Sequence, residues 1–491
     1  MRNNIINNTL IICAFFILAS CSGGYSSEQE VNSQINIYPD YSSVVVPRTI
    51  APLNFTVQDS ADYYLFEFID SSNKSLFTLK NGSGDSDIPI KKWKQALSNA
   101  SNSFIVIKIA VIKGGVRYNY PVFKINISDD AIDTHLVYRL TNPGMYGANM
   151  GIYQRDLSSF NESPIIENDP DSRGCMNCHT FLNNSPESFM FHMRQEYDGT
   201  VITVDGKSEK FDLKTGDMMT GAVYPSWHPG GRYIAFSVNQ TRQSLHNSGD
   251  KIIEVFDLNS DIVIYDIKEN KMFSSELIYD KSMVESFPSW SKDGKYLYFV
   301  STNYMATRDL DPIDLKYNLY RVRFDAQTAQ FSDYELMFDA QAIDKSVTVP
   351  RTYHNDTKVS LSLSDYGNFF VWHNNSDLYS FDIESGQITA LVVLNSDKSD
   401  SYRCFSTNEN WVVFTSRRDD GLFTRLYIAH YDKESGTFAK PFMLPQEKSI
   451  HNKINERSYN LPEFITGAVN PEVITSTIKA EPKPIYKGDG L

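Results

Sequence analysis

At 491 residues the chain exceeds what a single hydrophobic core usually serves, so more than one domain is expected. Hydrophobic residues make up 41% and aromatic residues 13%, which excludes a disordered chain and suits a strand-rich globular one. A formal net charge of −14 excludes a nucleic-acid backbone as partner, because such partners select for clustered Lys and Arg.

Residues 1–20 read as an export signal. Arg2 lies in a short polar start, and the apolar run from Leu10 to Ala19 is too short to span a bilayer. Leu18-Ala19-Ser20-Cys21 resembles the lipobox of bacterial lipoproteins, which makes Cys21 the expected lipidation site; a plain secretory signal with a chance cysteine is the alternative. Acyl chains on Cys21 would tether the folded part to the outer or inner membrane of the cell envelope, periplasmic or surface-exposed. Residues 21–36 then form a flexible tether.

Residues 37–140 carry short alternating strands such as Tyr64-Leu65-Phe66-Glu67-Phe68-Ile69, broken by Asn-Gly and Gly-Gly turns, and predict a β-sandwich. Over 141–188 the periodicity fades and Pro, Gly, Asn and Asp crowd together, which predicts an irregular segment. It contains Cys175-Met176-Asn177-Cys178-His179.

Beyond it an aromatic-Asp pair recurs at Phe211-Asp212, Tyr265-Asp266, Phe324-Asp325, Phe381-Asp382 and Tyr431-Asp432, at intervals of 54, 59, 57 and 50 residues. Between them stand Tyr224-Pro225-Ser226-Trp227 and Phe287-Pro288-Ser289-Trp290, each followed by a Gly turn and an alternating strand. A repeat of this length predicts propeller blades, each unable to bury both faces alone, with the tryptophans packed between blades. These segments resemble the WD40-like repeats of six-bladed TolB-type propellers over roughly 189–465. Five blades follow from the five pairs; a sixth is expected from the strands near Phe438 to Ile465, closed by Phe189 to Arg194. Residues 466–491 form a C-terminal tail. The fold class is therefore all-β: sandwich, irregular segment, propeller.

The CxxCH pattern carries the chemistry. Two thiols about one turn apart can both add to the vinyl groups of one haem, and the adjacent imidazole then lies under the iron. Cys175, Cys178 and His179 are thus expected to hold one covalent haem c, with His179 as proximal iron ligand. A zinc site would want a second ligand pair, yet Cys404 is the sole other mature thiol besides Cys21; a thioredoxin-type dithiol would want a βαβ setting; a plain disulfide is the remaining alternative. His192 is the leading candidate for the sixth ligand, giving a bis-imidazole iron, with Met145, Met150, Met193, His228 and His246 as others, or an open position. Asp169-Pro170-Asp171 and Asp309 to Asp314 read as solvated acidic loops, since they lack the ordered spacing of a calcium site.

Cys-Met-Asn-Cys-His-Thr-Phe, then Phe-His-Met-Arg, then Tyr-Pro-Ser-Trp-His-Pro, resembles a family of Bacteroides-type exported propeller proteins that carry a cytochrome c motif before TolB-like repeats. The resemblance implies haem binding and electron transfer, with the propeller as docking platform for a redox or envelope protein partner. A haem peroxidase-like enzyme and a non-haem TolB-like scaffold are the two competing expectations. No Gly-rich phosphate loop, HExxH or GxSxG stands in the chain.

Overall fold

Alternation of apolar and polar residues sets strands throughout, and the computed structural model describes residues 25–100, 104–142, 150–168, 174–216, 218–245, 253–304, 315–370 and 373–491. The export signal and Cys21 lie outside the described residues, as do Met145, His246 and both acidic stretches. In the N-terminal unit Phe104–Lys113 is central. It pairs antiparallel with Tyr63–Asp70, Val116–Asn119 and Phe123–Ser128, within a seven-stranded sheet. The second layer is not a full sheet. It is built by the ribbon of Ile37–Tyr38 with Thr56–Val57 and the helix Ile90–Asn99, whose Trp93, Ala96 and Leu97 turn inward. Trp93 is fully buried and its indole N–H donates to the Ile50 carbonyl at 3.0 Å.

Six further sheets follow, each of at least four strands, and they are the blades of a propeller. Blade 2 runs Cys175–Phe181, Phe189–Arg194, Gly199–Val204 and Lys207–Asp212. Blades 3 to 6 begin with Val223–Trp227, Met283–Trp290, Ser346–Tyr353 and Asp400–Phe405. Blade 1 is assembled from both ends of the domain: Ser458–Ile465 pairs with His135–Thr141, which continues to Gly151–Asp156 and Glu162–Glu167. The ring is thereby closed, because the last strand supplies the innermost position of the first blade.

Three expectations are corrected. The propeller spans His135 to Ile465, so it starts well before residue 189. The segment 141–188 is not irregular over its described length; it holds Gly151–Asp156, Glu162–Glu167 and Cys175–Phe181. Described turns at 157–161 and 182–188 separate these short strands, which blurred the period. Phe189–Arg194 does not close the sixth blade but pairs with the CxxCH strand beside it.

The tryptophans sit between blades as expected. Trp227 packs with Met190 and Ile202 of blade 2 and donates to the Thr180 carbonyl at 3.4 Å. Trp290 packs with Tyr233, Ile262 and Phe273 of blade 3.

Residues 466–491 are ordered against the propeller. Ile474 of the helix Glu472–Ile478 joins the core around Phe189, Phe191 and Val201, and Lys483–Pro484 and Tyr486–Lys487 add parallel strands to the outer edges of blades 2 and 3. The N-terminal unit shares one continuous core with blade 6, from Trp93 and Phe123 to Trp411 and Phe442.

Candidate functional site

The axial site arises from a fault repeated in every innermost strand. In each one the ladder slips by a residue, between Asn177 and Thr180, Val223 and Ser226, Ser286 and Ser289, Thr348 and Arg351, Asp400 and Arg403, and opposite Val137 and Arg139 in the closing strand. Such bulges turn a side chain out of the regular pleat. Five of the bulged residues take positive φ: Cys178 at 52°, Tyr224 at 49°, Phe287 at 52°, Val349 at 49° and Leu461 at 47°. None is glycine, so each is held by its surroundings against a sparsely populated conformation. With Tyr402 they form a six-membered ring around the axis, one residue per blade, and all six line the same cavity.

By their slips Tyr224-Pro225, Phe287-Pro288, Val349-Pro350 and Leu461-Pro462 stand in register with Cys178-His179, and Tyr402-Arg403 does so by the hairpin turn that follows it, the slip of blade 6 falling one residue earlier. The CxxCH is thus the axial bulge of blade 2. Sequence reasoning picked out Tyr-Pro-Ser-Trp and Phe-Pro-Ser-Trp but missed that Cys178-His179-Thr180-Phe181 is the same element; the shared hydroxyl and aromatic in its last two places were the available signal.

Two cavities meet at the ring. The narrow chamber, about 220 Å³, is lined by His179, Arg351, Cys404 and Glu463 together with Trp227 and Trp290. The wide chamber, about 960 Å³, is lined by Arg139, Met150, Cys175, Asn177, His192 and Arg194. Cys178, Tyr224, Tyr402 and Leu461 belong to both. The hairpin of Tyr233–Leu245 and Ile253–Asp266 contributes Gln240, Thr241 and Val255 to the wide chamber's wall.

Electrostatics differ between the chambers. His179 is buried, which pushes its imidazole down to about 3; the Leu461 backbone opposes this and Arg139 adds to it. His192 is pushed down to about 4, first by burial and then by Arg194, and its Nδ1 lies 3.0 Å from Thr200 Oγ1. Burial raises the Cys178 thiol and drives that of Cys404 up to about 12, so neither is a ready thiolate. Glu463 is lifted to about 7 by burial, with Arg351, the Phe181 N–H and the Thr180 hydroxyl pulling the other way.

Of the expected haem residues, the structure brings Cys175, Cys178 and His192 to one chamber and His179 to the other. Three residues of strand span about 10 Å, beyond both one helical turn of about 5.4 Å and the roughly 7 Å limit for a disulfide. In this strand the CxxCH therefore does not present two thiols and an imidazole to one face of a single macrocycle, and the set does not fit a haem as it stands. Among the other sixth-ligand candidates, Met150 lines the wide chamber and Met193 is buried in the blade core. His228 sits between blades 3 and 4, its Nε2 3.0 Å from the Gly294 carbonyl.

No family model and no curated protein matches the chain. Among solved structures it is similar to TolB from Acinetobacter baumannii, with 14% identity over 77% of this chain and 85% of that one and a TM-score of 0.42. It is also similar to the β-propeller domain of the Trilobed protease from Pyrococcus furiosus, with 15% identity over 70% and 90% and a TM-score of 0.34. A third is the periplasmic gluconolactonase of Pseudomonas aeruginosa, with 11% identity over 66% and 99% and a TM-score of 0.34. At these values the similarities say nothing of activity or ligand. The chain is an all-β protein whose larger part is a six-bladed propeller.

Proposed function

We propose that this is an exported, envelope-tethered propeller protein that binds its ligand or an envelope partner through the wide end of its axial channel. The observation that carries this is the wide chamber itself: about 960 Å³, within the range of small-molecule sites, with three cations, Arg139, Arg194 and Lys214, against two acids, Asp198 and Asp212, on its wall in a chain of net charge −14. Such a local excess of cations favours an anionic occupant. Tethering through Cys21 rests on the lipobox and the export signal alone.

A second reading is favoured by one observation. Cys175, Cys178, His192 and Met150 share the wide chamber's wall, and these are residue types that anchor and ligate haem. A covalent haem c there would make the protein an electron-transfer partner docking through its propeller, and the arginines would suit the haem's carboxylates. It requires the strand at Cys178-His179 to open, since His179 lies beyond the ring.

Protein purified from its native envelope, or matured in a host with c-haem machinery, decides between them by native and denatured mass with an alkaline pyridine absorption spectrum. The binding reading expects a non-covalent adduct that is diminished in Thr220→Trp, which intrudes on the chamber. The haem reading expects a covalent adduct with a haemochrome α-band. A mass equal to polypeptide plus lipid, with no band, overturns both.

A further inference from the structure

The narrow chamber carries bonding capacity that its own walls leave unused. His179 has a side chain only 1% exposed, and although the Leu461 backbone acts on the ring, neither ring nitrogen meets hydrogen-bond geometry with a partner. Glu463 spends one oxygen: Oε2 accepts from Thr180 Oγ1 at 3.3 Å and from the Phe181 N–H at 3.2 Å. Its Oε1 stands 3.9 Å from His179 Nε2, too far for a hydrogen bond. Arg351 donates from Nη1 to the Pro350 carbonyl at 3.0 Å, which leaves most of its five donors for another acceptor. Arg351 and Glu463 feel each other's charge yet form no ion pair. The other cations of the wall are committed: Arg403 donates to Ser360, Ser362 and the Val349 carbonyl, and Lys292 pairs with Glu409 at 2.9 Å.

The repeat sharpens this contrast. The layer next to the ring takes one residue per blade: Thr180, Ser226, Ser289, Arg351, Cys404 and Glu463, all on the chamber wall. Four are small and uncharged, and the two charges have opposite sign and flank blade 6. Buried polar groups without partners cost stability, so native structures rarely leave them in place without a use. A void of about 220 Å³ falls below the range for drug-sized ligands, which selects a compact one.

We propose that the narrow chamber binds a small carboxylic acid that also carries a hydroxyl or amino group, with its carboxylate on Arg351 and its donor on Glu463 Oε1 beside the His179 ring. Arg matches a carboxylate through paired N–H donors, and the free carboxyl oxygen accepts from the second group. This site is separated from the wide chamber by the ring, and does not rest on what occupies that chamber.

Propionate, lactate and alanine test it, because they differ only by hydrogen, hydroxyl or ammonium at the second carbon. Titration of the purified full-length protein is followed by calorimetry and by the fluorescence of Trp227 and Trp290. The expected result is binding of lactate or alanine at least tenfold tighter than propionate. Arg351→Gln should weaken all three more than tenfold, and Glu463→Gln should erase the tenfold preference while leaving propionate unchanged. Equal binding of the three probes, or no binding of any, overturns the proposal on the parent protein alone, whatever the variants do. A preference that survives Glu463→Gln in a folded variant overturns the assigned donor contact. The envelope-purified mass measurement reports on the wide chamber independently of these outcomes.

Discussion

His179 occupies a position where four of the six blades carry proline: Pro225, Pro288, Pro350 and Pro462. Proline is tolerated in a sheet where no ladder hydrogen bond is donated, and bulges are such places. The residue before it is already in the conformation that the other blades use, φ 52° at Cys178 against 49° at Tyr224. His179→Pro is therefore expected to fold, with a thermal midpoint within about 3 °C of the parent, a shift that corresponds to roughly 3 kcal/mol in a chain of 491 residues. It also removes two buried ring nitrogens that lack partners, which offsets lost packing. A fall of more than 10 °C in a calorimetric scan would mean that blade 2 does not share the bulge of the others. The same substitution removes the imidazole of the CxxCH, so a covalent haem found on the parent but absent from a stable His179→Pro would separate chemistry from folding. At this scale the sequence made Cys175, Cys178, His179 and His192 conspicuous by type, whereas Arg351 and Glu463 were invisible because nothing local marks a lone Arg or Glu as facing an axis.

Strand by strand, the repeat was legible where its markers keep phase. Tyr265-Asp266, Phe324-Asp325, Phe381-Asp382 and Tyr431-Asp432 each end the third strand of a blade, so their spacing counts blades. Phe211-Asp212 ends the fourth strand of blade 2, which hid the start of the ring. Blade 1 could not be read at all, because Ser458–Ile465 lies more than 300 residues from the strand it completes and no local pattern encodes that pairing. The C-terminal segment is the other element that sequence left unassigned. Tyr486–Lys487 covers the outer edge of blade 3, where the Gly488 N–H donates to the Met272 carbonyl at 2.7 Å, and Lys483–Pro484 covers that of blade 2. Exposed strand edges template association. Deleting residues 482–491 should leave the propeller folded, with a midpoint lowered by only a few degrees, and should turn a monomer into concentration-dependent oligomers in light scattering. A truncated protein that stays monomeric at high concentration would show that these strands decorate the edges without protecting them.

Across the whole molecule the blades bury acids between them. Asp257 of blade 3 is fully buried and accepts from Asn239 Nδ2 at 2.9 Å and from Asn368 Nδ2 of blade 5; burial lifts it to about 7. Asp261, also in blade 3, faces Glu285 of blade 4, and each has a carboxyl oxygen without a hydrogen-bond partner. Burial, then Asp280, lifts Asp261 to about 7, and burial, then Asp261, drives Glu285 well above the usual range. A carboxyl raised from 3.8 to about 7 keeps its proton in the folded state over a window in which the unfolded chain has released it. Stability therefore falls as pH rises from about 4 to 7, and the cost is fully present above 7. His179 and His192 act in the opposite sense, since imidazoles depressed to about 3 and about 4 withdraw stability as pH falls below 6.5. The two trends overlap in the parent, so its pH profile alone does not reveal either. Asp261→Asn isolates the trend of the acids, because both histidines remain while one titrating carboxyl is gone and Glu285 is relieved of the Asp261 charge. Urea unfolding of parent and variant at pH 4, 6 and 8 should give a stability difference near zero at pH 4 that grows in favour of the variant to on the order of 3 kcal/mol at pH 8. A difference that stays constant with pH would mean that Asp261 is ionised between the blades, and the interface of blades 3 and 4 would then have to supply it with a donor or with more positive charge than Lys281 already brings.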